Sequence, residues 1–321
     1  MSTVQKLIVV VGATGYQGSS VVKQFLTLEN WRVRAVTRQP SSPAARALAS
    51  TGAEVVKADL SDPSSLSTAF DGAHSIFVNT DFWGHYLKMQ TGTEHKDVNN
   101  EELSLDVEAQ NGKNAAIAAA SVPTLERYVY SALGPMKKVS NGKYYRSHHW
   151  NSKARVVEYI ETELPDLAKK ASFIYLGAYS NNPLITPQLD PVTGTYKFVF
   201  PFKKELKMPV VLHEESTGKF VQALIENEDP GTKLLAYNLY PTLAEITELW
   251  SRVSGKSADI IEITPEIMHE QSGVPWEVLE AALYLPEYGY MAGVDGYIEP
   301  PQLKVPVQVR SFEDYLKEQK W

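Results

Sequence analysis

The chain has 321 residues, of which 43% are hydrophobic and 21% charged, a net charge of −7 and no cysteine. That length serves one large or two modest domains. The acidic balance argues against a broad phosphate-backbone contact surface, though not against docking on a basic protein. The lack of cysteine excludes disulfides, thiolate nucleophiles and Cys-ligated metals, and fits a reducing interior compartment.

The opening MSTVQKLIVVVGATG has too short an apolar run for a secretory leader. No run approaches the roughly 18 apolar residues of a membrane span. The expectation is a soluble intracellular protein, cytoplasmic or nuclear, with neither membrane nor nucleic acid as a direct partner. Lys6–Val11 (KLIVVV) reads as a strand buried on both faces of a parallel sheet, and Tyr16–Leu28 as the helix after it. Between them lies GATGYQG, with Gly12, Gly15 and Gly18 three apart. Glycine permits the tight turn and lets the backbone approach a pyrophosphate, while a helix N-terminus offers unpaired N–H groups and a positive dipole end. Gly12, Thr14, Gly15, Tyr16, Gln17 and Gly18 are therefore the expected cofactor loop. A plain strand-to-helix turn is the alternative, and it needs only one glycine.

Arg32–Thr37 is the second expected strand, Pro43–Thr51 a helix, Glu54–Lys57 the third strand, Ser64–Phe70 a helix and Ser75–Asn79 the fourth strand. In the NAD form of this fold an acidic residue about 20 positions beyond the glycines holds the ribose 2′-OH. Here that place is taken by Arg38, whose guanidinium suits a 2′-phosphate, so NADP(H) is favoured and NAD(H) remains possible. Otherwise Arg38 is a solvated loop charge. Strand alternation turns Arg32 and Arg34 elsewhere. Asp59 faces the adenine end or caps the Ser64 helix, and Asn79 completes the cofactor set.

Thr80 to Asn100 lacks a period and reads as a loop; its Phe82, Trp83, His85 and Tyr86 either wall a nicotinamide pocket or pack beneath the insert. Asn100–Ala120 reads as a long helix, with Glu101, Glu102, Asp106 and Glu108 as its solvated face. Arg127–Ser131 is the fifth strand, Tyr145–Glu163 a helix and Ser172–Ala178 the sixth strand. This alternation means βαβ units and a doubly wound parallel Rossmann sheet over residues 1–178. From 179 to 321 prolines and glycines become frequent and strands short, with helices at Leu243–Ser254 and near Pro275–Leu283. That part reads as a smaller, irregular α/β substrate or partner domain, free to return a strand to the main sheet.

The segments VVGATGYQGSSVV, VRAVTR, VNTDFW, QNGKNAAIAAA, ERYVYSAL, HHWNSKARVVEYI, LGAYSNN and STGKFVQALI resemble the NmrA-like family of atypical short-chain dehydrogenase relatives. They span Ile8 to Ile225, and TLAEITELWSRVSGKSADIIEIT resembles the family's closing segment. The resemblance implies a Rossmann domain that binds NAD or NADP and a smaller C-terminal domain. It implies two kinds of behaviour: sensing of dinucleotide redox state to regulate a partner, transcription factors included, or reduction of a small molecule. Some family regulators with an arginine after the second strand bind NAD well, so Arg38 does not decide the cofactor by resemblance. Ser216 departs from the acidic residue common two places before the GKFV glycine.

Short-chain dehydrogenases use a serine on the fifth strand and a Tyr-x-x-x-Lys pair on the next helix, the lysine holding the nicotinamide ribose and acidifying the tyrosine. By this likeness Ser131 and Lys153 match, but His149 stands four before the lysine, with Tyr145 a turn earlier on the same expected helix face. An imidazole is a capable proton donor, though a neighbouring ammonium favours its neutral form. His149 is equally a pocket-lining or surface histidine. His148 is expected to point elsewhere, so the two do not chelate. His213-Glu214-Glu215 lacks a second ligand cluster, so no metal is expected. With the standard tyrosine missing, the reading placed first is a dinucleotide redox sensor acting on a partner, possible transcriptional regulation included. The alternative is an NADPH-dependent oxidoreductase of a small carbonyl, imine or conjugated substrate, and a scaffold with a vestigial loop comes third.

Overall fold

The structure, a computed structural model, describes residues 5–91 and 100–321. Its first elements are β1 (Lys6–Val11), α1 (Tyr16–Leu26), β2 (Trp31–Thr37), α2 (Pro43–Ser50), β3 (Glu54–Lys57), α3 (Pro63–Phe70), β4 (Ser75–Val78), α4 (Phe82–Thr91), α5 (Asn100–Ala120) and β5 (Arg127–Ala132). After the short α6 (Met136–Val139) come α7 (His148–Glu163), α8 (Pro165–Ala168) and β6 (Ala171–Leu176). The rest comprises β7 (Ala178–Tyr179), β8 (Gln188–Leu189), β9 (Tyr196–Phe200), β10 (Val210–Val211), α9 (His213–Glu226), β11 (Lys233–Ala236), α10 (Leu243–Ser254), β12 (Ala258–Glu262), α11 (Pro265–Ser272), α12 (Trp276–Tyr288) and α13 (Phe312–Glu318).

Seven strands form one sheet in the order β11-β6-β5-β4-β1-β2-β3, and every pairing in it is parallel. Strand β1 shows why. Its Leu7, Val9 and Val11 enter the core beneath α3, α5 and α7, while Ile8 and Val10 enter the opposite core beneath α1 and α9. Each such side chain contributes roughly 1.5–3 kcal/mol when fully buried, so the run is apolar throughout rather than alternating. A third core, centred on Phe198, Phe200, Trp250 and Tyr284, fills the C-terminal lobe. There β8, β9 and β12 form a small sheet, and β7 pairs with β10. The chain order reverses between β1 and β4, which opens a crevice at the carboxyl ends of the strands. Among the described residues no helix is long and apolar enough to cross a membrane.

Two expected elements differ. The loop expected from Thr80 to Asn100 holds helix α4; the Asp81 carboxylate accepts the Gly84 N–H at 2.9 Å, and Phe82 and Tyr86, one turn apart, are buried. The capping aspartate and the i, i+4 aromatic pair carried this signal, which Gly84 and His85 obscured. Residues 92–99 of that expected loop lie outside the described residues. The helix expected from Tyr145 begins only at His148. Glu280 of α12 accepts the N–H groups of Arg146 and Ser147, which holds this stretch outside the helix. Tyr145 is therefore not on one helical face with His149 and Lys153, and it is 46% exposed.

Candidate functional site

A cleft of about 1290 Å³ runs along the carboxyl ends of the strands. At one end the chain turns from β1 into α1. Gly12 adopts φ +74°, a conformation that L side chains rarely take. A side chain at Gly18 would meet the Gly12 carbonyl oxygen at 2.2 Å, so α1 can start this close to β1 only with glycine there. Gly18 is buried and does not line the cleft, whereas Gly12, Thr14, Gly15, Tyr16 and Gln17 do. The first intrahelical bond runs from Ser19 N to Gly15 O, no side chain caps α1, and its first turn has no acidic residue. The N–H groups of Tyr16, Gln17 and Gly18 thus have no intrahelical acceptor, and a helix start of this kind is suited to an anion. Gln17 Nε2 donates to the Tyr179 hydroxyl at 2.7 Å, and the Tyr179 ring stacks on His213 with centroids 4.0 Å apart. Burial pushes the His213 pKa down to about 4.

Arg38 and Asp59, beyond β2 and β3, line the same end. Among the described residues Arg38 has no hydrogen bond or ion pair. Asp59 is not the cap of α3; that role belongs to Asp62, which accepts from Ser64 N and Ser65 N. The Asp59 carboxylate accepts the Ser61 N–H and hydroxyl; chiefly the backbone bond, helped by the Arg38 charge, holds its pKa below the usual value. Arg34 is turned away onto Glu54 and the carbonyls of Ala69 and Asp71.

The middle of the cleft is built on α7. Lys153 Nζ donates to Thr80 Oγ1 at 3.0 Å, Thr80 O at 3.1 Å and Asn79 Oδ1 at 3.4 Å, and pairs with Glu108 Oε1 at 3.0 Å. Glu108 was expected on a solvated helix face. Instead it is 1% exposed and also accepts from the Thr80 and Ser152 hydroxyls. Its neighbourhood is tight: a side chain at Gly112, one turn on, would strike Val156 of α7 at 2.5 Å. Tyr130, whose hydroxyl lies 3.1 Å from Thr80 Oγ1, stays protonated because burial and then the Glu108 charge push its pKa far up. Ser131 lines the cleft from the end of β5.

His149 lines the cleft beside Trp83, with ring centroids 5.1 Å apart. Its Nδ1 lies 2.5 Å from Glu277 Oε1, which also accepts its backbone N–H at 2.8 Å. His148 does not point elsewhere: its Nδ1 lies 2.8 Å from Glu277 Oε2. Burial is the largest influence on both His148 and Glu277. Their mutual hydrogen bond and charge outweigh it, raising the His148 pKa and, with the bonds from His149, lowering that of Glu277. Glu277 was not legible from sequence, because it lies 128 positions away. Tyr145 does not line the cleft. Phe82, Trp83 and His85 wall it from α4, while Phe202, Met208, Val278, Ala281 and Leu285 form an apolar arm. Among the described residues no group of three or more His, Asp or Glu is arranged to hold a metal.

A six-strand parallel core in the order 3-2-1-4-5-6, with a glycine loop at its switch point, defines a Rossmann-like protein. The sequence profile of the NmrA-like family matches residues 4–316, and the chain belongs to that family. It is 31% identical over 199 residues, 62% of its length, to the NmrA-like family domain-containing oxidoreductase hkm9 of Aspergillus hancockii. It is 29% identical over 238 residues, 71% of its length, to malD of Malbranchea aurantiaca, described in the same words. The matches span 54% and 66% of those relatives' own lengths. Among solved structures, Nmra, a negative transcriptional regulator, in complex with NADP aligns with TM-score 0.71 at 20% identity, covering 98% of this chain and 95% of that one. The complex of leucoanthocyanidin reductase from Vitis vinifera with NADPH aligns with TM-score 0.71 at 15% identity, covering 97% and 98%. These likenesses establish the shared fold.

Proposed function

We propose that the chain is an NAD(P)(H)-dependent oxidoreductase that reduces a small carbonyl, imine or conjugated substrate. Residues 1–178 hold the dinucleotide and residues 179–321 supply the apolar wall for the substrate. One observation carries the reading: a single cleft runs from the bare N–H groups of α1, past Ser131, Lys153 and His149, to the apolar arm around Leu285. Its volume exceeds the roughly 300–1,000 Å³ of a single small-molecule site, which leaves room for cofactor and substrate together. The oxidoreductase names of the relatives support it.

Gly12, Gly15 and Gly18 shape the diphosphate cradle, with Thr14, Tyr16 and Gln17 beside it. Arg38, whose guanidinium has no hydrogen bond or ion pair among the described residues, suits a 2′-phosphate, so NADP(H) is preferred to NAD(H), with Asp59 toward the adenine. Asn79 and Lys153 stand by the nicotinamide ribose. Ser131 orients the substrate and His149 gives the proton. Bound there, the reduced dinucleotide supplies a hydride. The test is calorimetric titration with NADPH and NADH, followed by the loss of reduced-nicotinamide absorbance with phenanthrenequinone and a dihydroisoquinoline. Tighter NADPH binding and saturable consumption are expected; failure to bind either dinucleotide overturns the reading.

A redox sensor that regulates a protein partner is the second reading. It is favoured by the saturation of Lys153 Nζ with Glu108, Thr80 and Asn79, which leaves no tyrosine activated by that ammonium. A sensor needs different affinities for the oxidised and reduced forms. Equal affinities for NADP⁺ and NADPH exclude it.

A further inference from the structure

We infer that Glu277, on the C-terminal lobe's α12, is the positioning residue that makes His149 the proton donor of the cleft; the inference rests on the oxidoreductase reading. The Glu277 side chain is 1% exposed and does not line the cleft. It receives three donors from the start of α7: the His149 N–H, His149 Nδ1 and His148 Nδ1. A carboxylate held below its ordinary pKa only accepts, so both imidazoles present Nδ1–H to it. For His149 this fixes the tautomer and the ring's rotation. Nε2 has no hydrogen-bond partner among the described residues, while the ring borders the cleft beside Trp83. Carboxylate, imidazole and free Nε2 in line is the arrangement that holds a histidine ready for proton transfer.

The same contact closes the start of α7. No side chain of its own caps that helix. Glu277 accepts the His149 amide in that helix's first turn, and Glu280, one turn further along α12, accepts the Arg146 and Ser147 amides just before it. The lobe that walls the apolar arm therefore also sets the geometry of the proton donor. Lys153 does not compete, because its charge is matched by Glu108. Around this stretch of cleft, Asp81, His85, Lys88 and Tyr290 line the wall, His148 lies behind it on Glu277, and the Glu101 charge of α5 acts on His148 and on Tyr86 of α4.

The step balances. Hydride from the reduced dinucleotide forms a C–H bond at the C=O or C=N carbon, and the π electrons move to oxygen or nitrogen. That atom takes the proton from Nε2 of the His149 imidazolium, leaving neutral imidazole and oxidised dinucleotide, and solvent restores the proton. Glu277 keeps its charge throughout.

The experiment compares full-length wild type with Glu277→Ala, Glu277→Asp and His149→Ala. It reads NADPH affinity by calorimetry, the His149 tautomer by ¹⁵N NMR, and kcat against pH with phenanthrenequinone and a dihydroisoquinoline. Expected for Glu277→Ala are a kcat fall of about 100-fold, within the 10²–10⁴ that a positioned acid contributes, unchanged NADPH affinity, loss of the Nδ1–H tautomer and a displaced alkaline limb, the side on which a proton donor is lost. Glu277→Asp restores part of kcat, and His149→Ala flattens that limb. A Glu277→Ala protein with wild-type kcat, or one that loses NADPH affinity in step with kcat, overturns the inference and leaves the oxidoreductase reading standing. Wild type that binds NADPH but consumes none with either probe overturns the oxidoreductase reading, and the inference with it.

Discussion

At the glycine-loop end of the cleft, the surface proposed to hold an anion comes from one turn of chain, Gly12 to Gln17, with Arg38 and Asp59 close behind in sequence. At the His149 end the partners are assembled from far apart: Glu108 meets Ser152 across 44 positions and Glu277 meets His149 across 128. The first is a backbone device, in which glycines allow amides to crowd an anion. The second is a side-chain device, in which buried carboxylates on α5 and α12 fix a lysine and two histidines on α7. A backbone device tolerates changes in neighbouring side chains. A buried ion pair tolerates few, because removing one partner strands the other.

The largest expected effect breaks the second region alone. Glu108→Ala leaves Lys153 buried without its counter-ion and destabilises the fold by about 3–5 kcal/mol, read as a lowered midpoint in denaturant. Glu108→Ala that matches wild type means Lys153 relocates to solvent. Next is Arg38→Ala at the other end. Removing one charge-assisted contact weakens NADPH about tenfold, near 1.4 kcal/mol, and leaves NADH unchanged; equal weakening of both removes the 2′-phosphate assignment.

The two regions also respond to pH in opposite directions. His213, beside the glycine loop, has its pKa lowered to about 4 from 6.5. The stability it gives by staying neutral is full above pH 6.5 and is lost as pH falls toward 4. His148, whose pKa is raised by Glu277, gives stability that is present below 6.5 and is lost as pH rises through its raised value. Thermal midpoints against pH check this. His213→Phe, which keeps the stack on Tyr179, flattens the acid side, and His148→Gln flattens the alkaline side. The smallest effect is Tyr145→Phe: outside α7 and 46% exposed, it leaves kcat and stability unchanged within twofold.

What was legible in the sequence follows the same division. The strands of the first half and the glycine loop were readable because they depend on short-range periodicity and on glycine chemistry. Lys6–Val11, Glu54–Lys57 and Asn100–Ala120 begin and end where that pattern says. Helix α4 was missed because Gly84 and His85 interrupt its apolar period. Glu108 looked solvated because three other acidic residues share its helix, and a count of charges does not show that Thr80, Ser152 and Lys153 converge on one of them. Glu277 had no local signal, since its partners lie on another element. Tyr145 was placed on α7 by its spacing, while Glu280, from far along the chain, holds its neighbours out of the helix.

The central claim is that a dinucleotide diphosphate rests on the amides at the start of α1, and Gly15 tests it cleanly. Its φ of −87° suits any residue, and an added Cβ comes no nearer than 3.4 Å to the Gly12 carbonyl oxygen. Gly15→Val therefore keeps the fold while filling the cradle. Calorimetric titration with NADPH is predicted to show at least 100-fold weaker binding at an unchanged thermal midpoint. Wild-type affinity in that variant contradicts the account.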